Sequence, residues 1–566
     1  MPEREAATLC AVFHRSDFMR VLVRNDKDDF RVKAYAGTNG VLLAMDLDAS
    51  RRQGLLGFAI EKQTGSKPWL FLFNSLTFPG KAHTFPQYNA TPSDQAPLQK
   101  FRWADYAVNP GATLNYRVHL AYGSPDAPQL GESLQLSITA DNGQPPGQRV
   151  IFNRAVAASQ AFSRKFPELD ALLSANKNLP IEKWPDAPRQ WLENGLLEAL
   201  LGFIQRATDA SWSLDIAIYE YQLQAIIDAV NAAFDRGVQV RVLYHAAPGD
   251  ADTTMNQASL QHLPEVNKRG RVTHAIFHDK FIVLGRLDAA GQRQPQSVLC
   301  GSTNFTANGV YRQANVLHSL DHVDIATRYL EVFEQVWATP ADVGATRTWL
   351  TRNNPMQPQA PLFAGFSPRS GQGDLAEFVD IINGARRDLL FVTAFALPDS
   401  ILDALLGQPH DDVLRYGLQN TASRITGFHA DRTAEFAATA LLNNGLEGWL
   451  KEGLKGQKGN LLVHTKAIVT DFTSQAPVII SGSHNLSVGA SQSNDENFLI
   501  IRGDTDLADR YGLELLRFYE HYRFRYFARQ LALKQVQPLA VDDSWSNAYY
   551  LEGDLRQLSR LRFSGR

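Results

Sequence analysis

Over the first 140 residues the apolar positions follow a period of two. Leu114, Tyr116, Val118 and Leu120 fall on one face of a strand behind the turn Asn109-Pro110-Gly111. Short apolar or alternating runs at 30–36, 41–47, 57–60, 69–73 and 133–139, separated by turn-prone residues, predict further strands. Several short strands at this spacing predict an antiparallel β-sandwich over residues 1–145, and 141–148 reads as a linker. The period then changes. Leu192, Leu196, Leu197, Leu200, Leu201 and Ile204 predict a helix over 191–206. A strand at 214–219, a helix at 223–234 and a strand opened by Gly237 make a β-α-β unit with a parallel pair. After a Pro- and Asn-rich stretch at 353–361 the pattern restarts: helix 375–385, strand 388–395, helix 401–406, strand 413–418.

The restart is an internal duplication. FHDKFIVLG followed by GSTNFT in the first half returns as VHTKAIVTD followed by GSHNLS in the second, and ATRYLE near 326 returns as ADRYGLE near 508. His278 precedes His464 by 186 positions, while Ser302 precedes Ser483, and Asn315 precedes Glu496, by 181. Two copies of so long a unit predict two lobes of a fused pseudo-dimer, 150–350 and 362–535, followed by a C-terminal tail, 536–566.

Each lobe holds His-x-Lys at the start of an apolar strand and Gly-Ser-x-Asn at the end of a later one. In a strand, residues two apart share a face, so each His-x-Lys offers an imidazole and an ammonium to one site. Cleaving a phosphodiester needs a nucleophile, a proton donor for the leaving oxygen and positive donors around the non-bridging oxygens. His464-x-Lys466-x4-Asp471 followed by Gly482-Ser483-x-Asn485 resembles the HKD signature of the phospholipase D superfamily residue by residue; His278-x-Lys280 followed by Gly301-Ser302-x-Asn304 resembles it in part. The resemblance spans roughly 150–535. It implies a two-lobed α/β fold with mixed sheets and one site at the lobe interface. Two imidazoles, two ammonium groups, two hydroxyls and two carboxamides would surround one phosphate, with a covalent phosphohistidine and no metal or cofactor. The stretch 110–118, PGATLNYRV, resembles immunoglobulin-like and fibronectin type III modules.

Lobe 1 departs from the pattern. Gly285 stands where lobe 2 has Asp471, a structural supporting residue in the family, and Asn315 stands where lobe 2 has Glu496. A carboxylate beside an imidazole favours its protonated form and a carboxamide does not. Pairing each histidine within its own lobe makes His464, beside Glu496, the general acid and His278 the neutral nucleophile, a role order similar to that of the tyrosyl-DNA phosphodiesterases. His484 occupies the variable position of its motif and reads as incidental, and Cys300 as a buried strand residue. The basic and aromatic run 517–530 has the look of a nucleic-acid surface, yet reads better as a helix with its aromatics in the core and arginines on the rim.

Composition narrows the partners. The chain has 566 residues, 44% apolar and 20% charged, with 56 Lys+Arg against 59 Asp+Glu. A net charge of −3 advertises no polyanion partner, so an anion site must be local. Two cysteines, Cys10 and Cys300, make no disulfide framework. With no signal-like N-terminus and no long uncharged apolar run, the expectation is a soluble cytoplasmic protein, monomeric because both lobes lie in one chain. The expected function is metal-independent hydrolysis, or transfer, at a phosphodiester. Nucleic acid is the favoured substrate, a phospholipase D activity is the alternative, and a catalytically weak binding scaffold is the second alternative.

Overall fold

A computed structural model describes residues 19–143, 147–154, 162, 165–176, 179–272, 275–407, 411–420, 422–428, 434–438, 463–530 and 537–566. The alternating runs of the first third pair as their period demands. One four-stranded antiparallel sheet has the order Arg20–Arg24, Phe30–Ala36, Val41–Leu47, Arg102–Asp105; a second has the order Ala127–Thr139, Thr113–Ser124, Gly57–Thr64, Leu70–Phe71. Val32 and Leu43 from the first share an apolar cluster with Phe58, Val118 and Ile138 from the second, and Leu114, Tyr116 and Leu120 join it as their shared face requires. The strand expected at 69–73 is broken. Leu70–Phe71 stays on the sheet edge while Phe73–Asn74 turns away to pair with Thr91–Pro92. Leu70 and Phe73 are left 68% and 51% exposed.

The duplication is visible in topology. The first lobe's seven-stranded sheet has the order Gln148–Phe152, Val316–Leu320, Arg293–Gly301, Lys280–Leu287, Trp212–Ile218, Gln239–His245, Lys268–Arg271. The second lobe's sheet runs Leu362–Ser367, Glu496–Arg502, Val478–Gly482, Ala467–Thr470, Asp388–Thr393, Leu414–Gln419, Ala434–Ala438, with the short strand Gly427–Phe428 added at its edge. Strand for strand the two orders correspond, and each sheet mixes two parallel pairs with antiparallel ones. The mixed sheets and α/β lobes are those expected, and the first strand of lobe 1 begins inside the stretch read as a linker.

Alternate residues of the central strands serve two cores. Ile282 and Leu284 pack outward with Leu200, Phe203 and Ile226, while Phe281 and Val283 face inward to a cluster holding Tyr329 and Phe333 of helix Val323–Ala338 and Tyr511 and Tyr519 of helix Thr505–Gln530. Both closing helices thus lie in the core shared by the lobes. The helix expected over 191–206 is two, Asp186–Glu193 and Leu196–Gln205. Asn194 and Gly195 separate them in the left-handed region, at φ 54° and 86°, where an L residue with a Cβ is disfavoured and Gly and Asn are tolerated. In the run 517–530, Tyr519, Tyr522 and Tyr526 are buried and Arg523 bonds Glu435, so these residues are core and rim. The side chains of Phe524, Arg525 and Arg529 lie outside the described residues.

The C-terminal segment is no free tail. Trp545, Tyr549 and Tyr550 pack on the β-module core, Arg560 bonds Asp46, and the Tyr35 hydroxyl donates to the Phe563 carbonyl at 2.8 Å. Cys300 is buried in its strand, while Cys10 lies outside the described residues. No described helix is long and apolar enough to cross a membrane.

Candidate active site

Lys280 opens its strand opposite Ile218, the last residue of the neighbouring strand, so His278-x-Lys280 stands where the sheet edge meets the other lobe. Lys466, one residue ahead of the Ala467 that faces Val392, holds the mirrored place. Backbone contacts then cross between lobes. The His278 N–H donates to the Asp495 carbonyl at 2.8 Å, and the His464 N–H donates to the Ala314 carbonyl at 2.9 Å. Each histidine is thereby stitched to the residue just before its partner lobe's Glu496 or Asn315. Beneath the first crossing, Arg271 makes a buried two-pronged pair with Asp495 at 3.0 and 2.9 Å.

This crossing overturns the expected pairing within lobes. His278 Nδ1 lies 2.7 Å from Glu496 Oε2, and His464 Nδ1 lies 2.9 Å from Asn315 Oδ1 and 3.0 Å from the Ser302 carbonyl. The Asn315 amide NH2 donates to the Gly309 carbonyl at 2.8 Å, which turns its oxygen to His464. A carbonyl can only accept, so His464 carries its proton on Nδ1. The carboxylate of Glu496 imposes the same tautomer on His278. Each neutral ring thereby carries its lone pair on Nε2, that of His464 accepting from Lys466 Nζ at 3.0 Å, and the rings face each other with centroids 6.2 Å apart.

Ser302 and Ser483 do not present hydroxyls to a phosphate as expected. Ser483 accepts from the Asn497 N–H at 3.0 Å and donates to Glu496 Oε2 at 2.7 Å; Ser302 accepts from the Val316 N–H at 3.1 Å and donates to Asn315 Oδ1 at 2.8 Å. Their capacity goes into holding the groups that hold the imidazoles. Asn304 donates to Glu220, and the amide oxygens of Asn304 and Asn485 are buried with no hydrogen-bond partner among the described residues. Lys280 Nζ donates to the His278 carbonyl at 2.6 Å, and Lys466 Nζ lies 3.0 Å from His464 Nε2.

Asp471 is not brought to the cluster. It lies past the far end of its strand, five residues or roughly 16 Å from Lys466, and accepts from the backbone N–H groups of Arg386 and Arg387 at 2.8 and 2.7 Å. It caps the entry to strand Asp388–Thr393 and acts on the site only through that strand. At Gly285 an added Cβ would meet Ser213 Oγ at 2.8 Å, so lobe 1 has no room for an aspartate there without a shift. His484 braces the motif loop: its Nδ1 accepts the Leu486 N–H at 3.0 Å, and its ring lies 3.3 Å from Asp374.

Burial, together with the two ammonium groups, holds the pKa of both His278 and His464 well below the ordinary imidazole value. Burial lowers Lys280 to about 8 and Lys466 well below the usual lysine value, and it raises Glu496 against the pull of His484 and Lys280. The sequence reading missed Glu220, Tyr219 and Phe395, which line the same edge. Tyr219 lies 5.4 Å from His278, and Phe395 lies 6.4 Å from His464. No motif marks them; what could have found them is their place just after strands Trp212–Ile218 and Asp388–Thr393, at the carboxyl edge where α/β sites collect. Among the described residues no group of three or more His, Cys, Asp or Glu is arranged to hold a metal ion.

Residues 203–337 match the family described as "Cardiolipin synthase, PLD-like domain". The chain thus carries a domain of the phospholipase D superfamily, a class of phosphodiester-bond enzymes. No curated protein matches the sequence. Among solved structures, phosphatidylserine synthase of Haemophilus influenzae is 12% identical over 60% of this chain and 91% of its own, with a TM-score of 0.41. Polyphosphate kinase of Porphyromonas gingivalis is 12% identical with a TM-score of 0.37; the match covers 55% of this chain and spans 43% of that one. The phospholipase D family member Nuc of Salmonella typhimurium is 21% identical over 25% of this chain and 86% of its own, with a TM-score of 0.21.

Proposed function

We propose that the chain is a phosphodiesterase working through a phosphohistidine on His278, with His464 as the general acid. The observation that carries this reading is the pair of Nδ1-anchored imidazoles facing each other, one backed by a carboxylate and the other by a carboxamide. As His278 Nε2 attacks phosphorus its ring gains positive charge, and Glu496 stabilises that charge. As His464 gives its Nε2 proton to the leaving oxygen its ring loses charge, and a neutral amide neighbour makes it the stronger acid. The role order is the one expected from sequence; the reason for it is the reverse.

In the first step the N–P bond forms, the bond from phosphorus to the leaving oxygen breaks, and an alcohol departs. In the second, His464 takes a proton from water, the water oxygen bonds phosphorus, and the N–P bond breaks to release a monoester. Lys280, Lys466, Asn304 and Asn485 are the donors offered to the non-bridging oxygens. Burial first, and then the two ammonium groups, hold His464 down; a bound diester anion offsets the ammonium groups and so favours the charged acid.

Nucleic acid is the first substrate to offer. Phospholipid is the second reading, favoured by the exposed apolar residues Leu70, Phe73, Phe85 and Tyr88 on the β module, which we assign to the immunoglobulin-like class. The test offers plasmid, single-stranded DNA, RNA and phosphatidylcholine vesicles to dialysed protein in millimolar EDTA. Turnover of one class is expected, with acid-labile phosphate trapped on His278. Loss of turnover on chelation, restored by Mg²⁺ or Zn²⁺, would point to metal-assisted hydrolysis instead. No turnover under any condition would favour the binding scaffold.

A further inference from the structure

We propose that Glu220 sets the charge the site accepts, admitting a monoanionic phosphodiester and turning away a dianionic monoester. The inference rests on the phosphodiester reading above and adds a specificity-determining residue to it. Glu220 follows strand Trp212–Ile218, and its backbone carbonyl accepts the Phe305 N–H at 3.0 Å, one residue past Asn304. Its carboxylate takes the amide hydrogen of Asn304, a group offered to the phosphate. Glu220 thus stands against the anion position itself. The corresponding place in lobe 2 holds Phe395, whose ring lies 5.8 Å from Lys466 Nζ, so this carboxylate has no mirror image.

The charges facing Glu220 come from three directions. Lys280 and Lys466 pull its pKa down; burial first, and then Asp252, push it up. Asp252 itself is engaged by the Tyr219 hydroxyl at 3.3 Å and the Gln222 amide at 3.1 Å. With both imidazoles neutral, the two ammonium groups already face the carboxylates of Glu220 and Glu496, with Asp252 behind Glu220. A diester brings one negative charge, and a proton that His464 takes up from solvent offsets it. A monoester brings a second negative charge, set against Glu220 with no further cation to meet it. The product of hydrolysis is such a dianion, so the same carboxylate promotes its release.

The test compares dimethyl phosphate, a monoanion, with methyl phosphate, a dianion at pH 7.5 because its second pKa is about 6, a pH below the value of about 8 at which Lys280 loses its charge. Dissociation constants are measured by calorimetry for the wild type and for Glu220→Gln. Coulomb energy scales with ligand charge, so the gain for the dianion should be the square of the gain for the monoanion, about 10–100-fold against roughly 3–10-fold. Phe395→Glu, which adds a carboxylate at the mirrored position, should weaken both probes, the dianion more. Equal gains for the two probes, or none, would overturn the proposal. So would loss of both at an unchanged melting temperature, because Glu220 would then merely brace Asn304. A wild type that binds neither probe would sink the phosphodiester reading along with this one.

Discussion

Replacing Glu496 by Gln tests the role assignment directly, because the side chain keeps its shape and loses only its charge. The carboxylate lies 2.7 Å from His278 Nδ1, which sets the charge centres of a phosphoimidazolium and Glu496 about 4 Å apart. At an effective dielectric of about 20 this attraction is about 4 kcal/mol, or about 10³ in rate if fully expressed at the transition state. The amide retains a hydrogen-bond acceptor, so a loss of about 10²–10³ is expected. The assay is single-turnover release of p-nitrophenol from bis(p-nitrophenyl) phosphate, whose departure needs little protonation, so the burst reports attack by His278. Burial raises Glu496, and its protonation on acidification removes the charge that supports attack. The acidic limb of the wild-type profile should accordingly vanish in the variant. Asn315→Asp performs the mirrored change: it raises His464, extends its protonated range to higher pH and weakens it as a donor toward poor leaving groups. A burst within about threefold of wild type in Glu496→Gln would refute the argument. A deficit seen only with poor leaving groups would also refute it, since the carboxylate would then serve the acid.

The two histidines should separate by leaving group: His464→Ala, slowed by roughly 10²–10⁴ on an ordinary diester, should be partly restored by bis(p-nitrophenyl) phosphate, whereas His278→Ala should stay inactive on both. Rescue of His278→Ala alone would show the roles exchanged. Stability should carry the mark of His318, whose pKa burial lowers to about 4 while its Nε2 bonds the Tyr511 hydroxyl at 2.6 Å. A folded pKa below the unfolded value of about 6.5 gives stability that is present above pH 6.5 and lost as the pH falls toward 4. Denaturant midpoints at pH 7 and 4.5 should therefore show the wild type losing about 2–3 kcal/mol more than His318→Gln, and parallel losses would contradict the burial argument.

The elements legible in the sequence were those whose information is local. The strand Phe30–Ala36, the β-α-β unit and the repeated His-x-Lys and Gly-Ser-x-Asn all declare themselves by period or by spacing. What could not be read is which lobe each side chain serves. A duplication preserves spacing within a copy, so Glu496, 13 positions after Ser483, naturally appears to belong with His464. Only the parallel bridges between Phe277 and Asp495, and between Ala314 and Val463, carry each histidine across to the other copy. Glu220 was hidden for a different reason. The run Tyr219-Glu220-Tyr221 is an ordinary strand end, and its role comes from contact with Asn304, eighty-four residues away. Strand Arg20–Arg24 was missed because its apolar positions, Leu22 among them, are only partly covered.

The exchange of partners ties the two lobes together at the candidate site. Each lobe brings a His-x-Lys, and the group that orients that histidine is supplied by the other lobe, with the Arg271–Asp495 pair buried directly behind the first crossing. Removing one member of such a pair leaves an uncompensated buried charge and typically costs about 3–5 kcal/mol, so the pair helps hold the backbone link from His278 to Asp495. A symmetric ancestor with the same acceptor in both places would give both histidines equal claim to either role. One carboxylate at 496 against one carboxamide at 315 lifts that equivalence, and the roles proposed above, attack by one ring and proton transfer by the other, rest on it. Glu220, opposed by Phe395, is a second such difference between the two lobes beside the same residues.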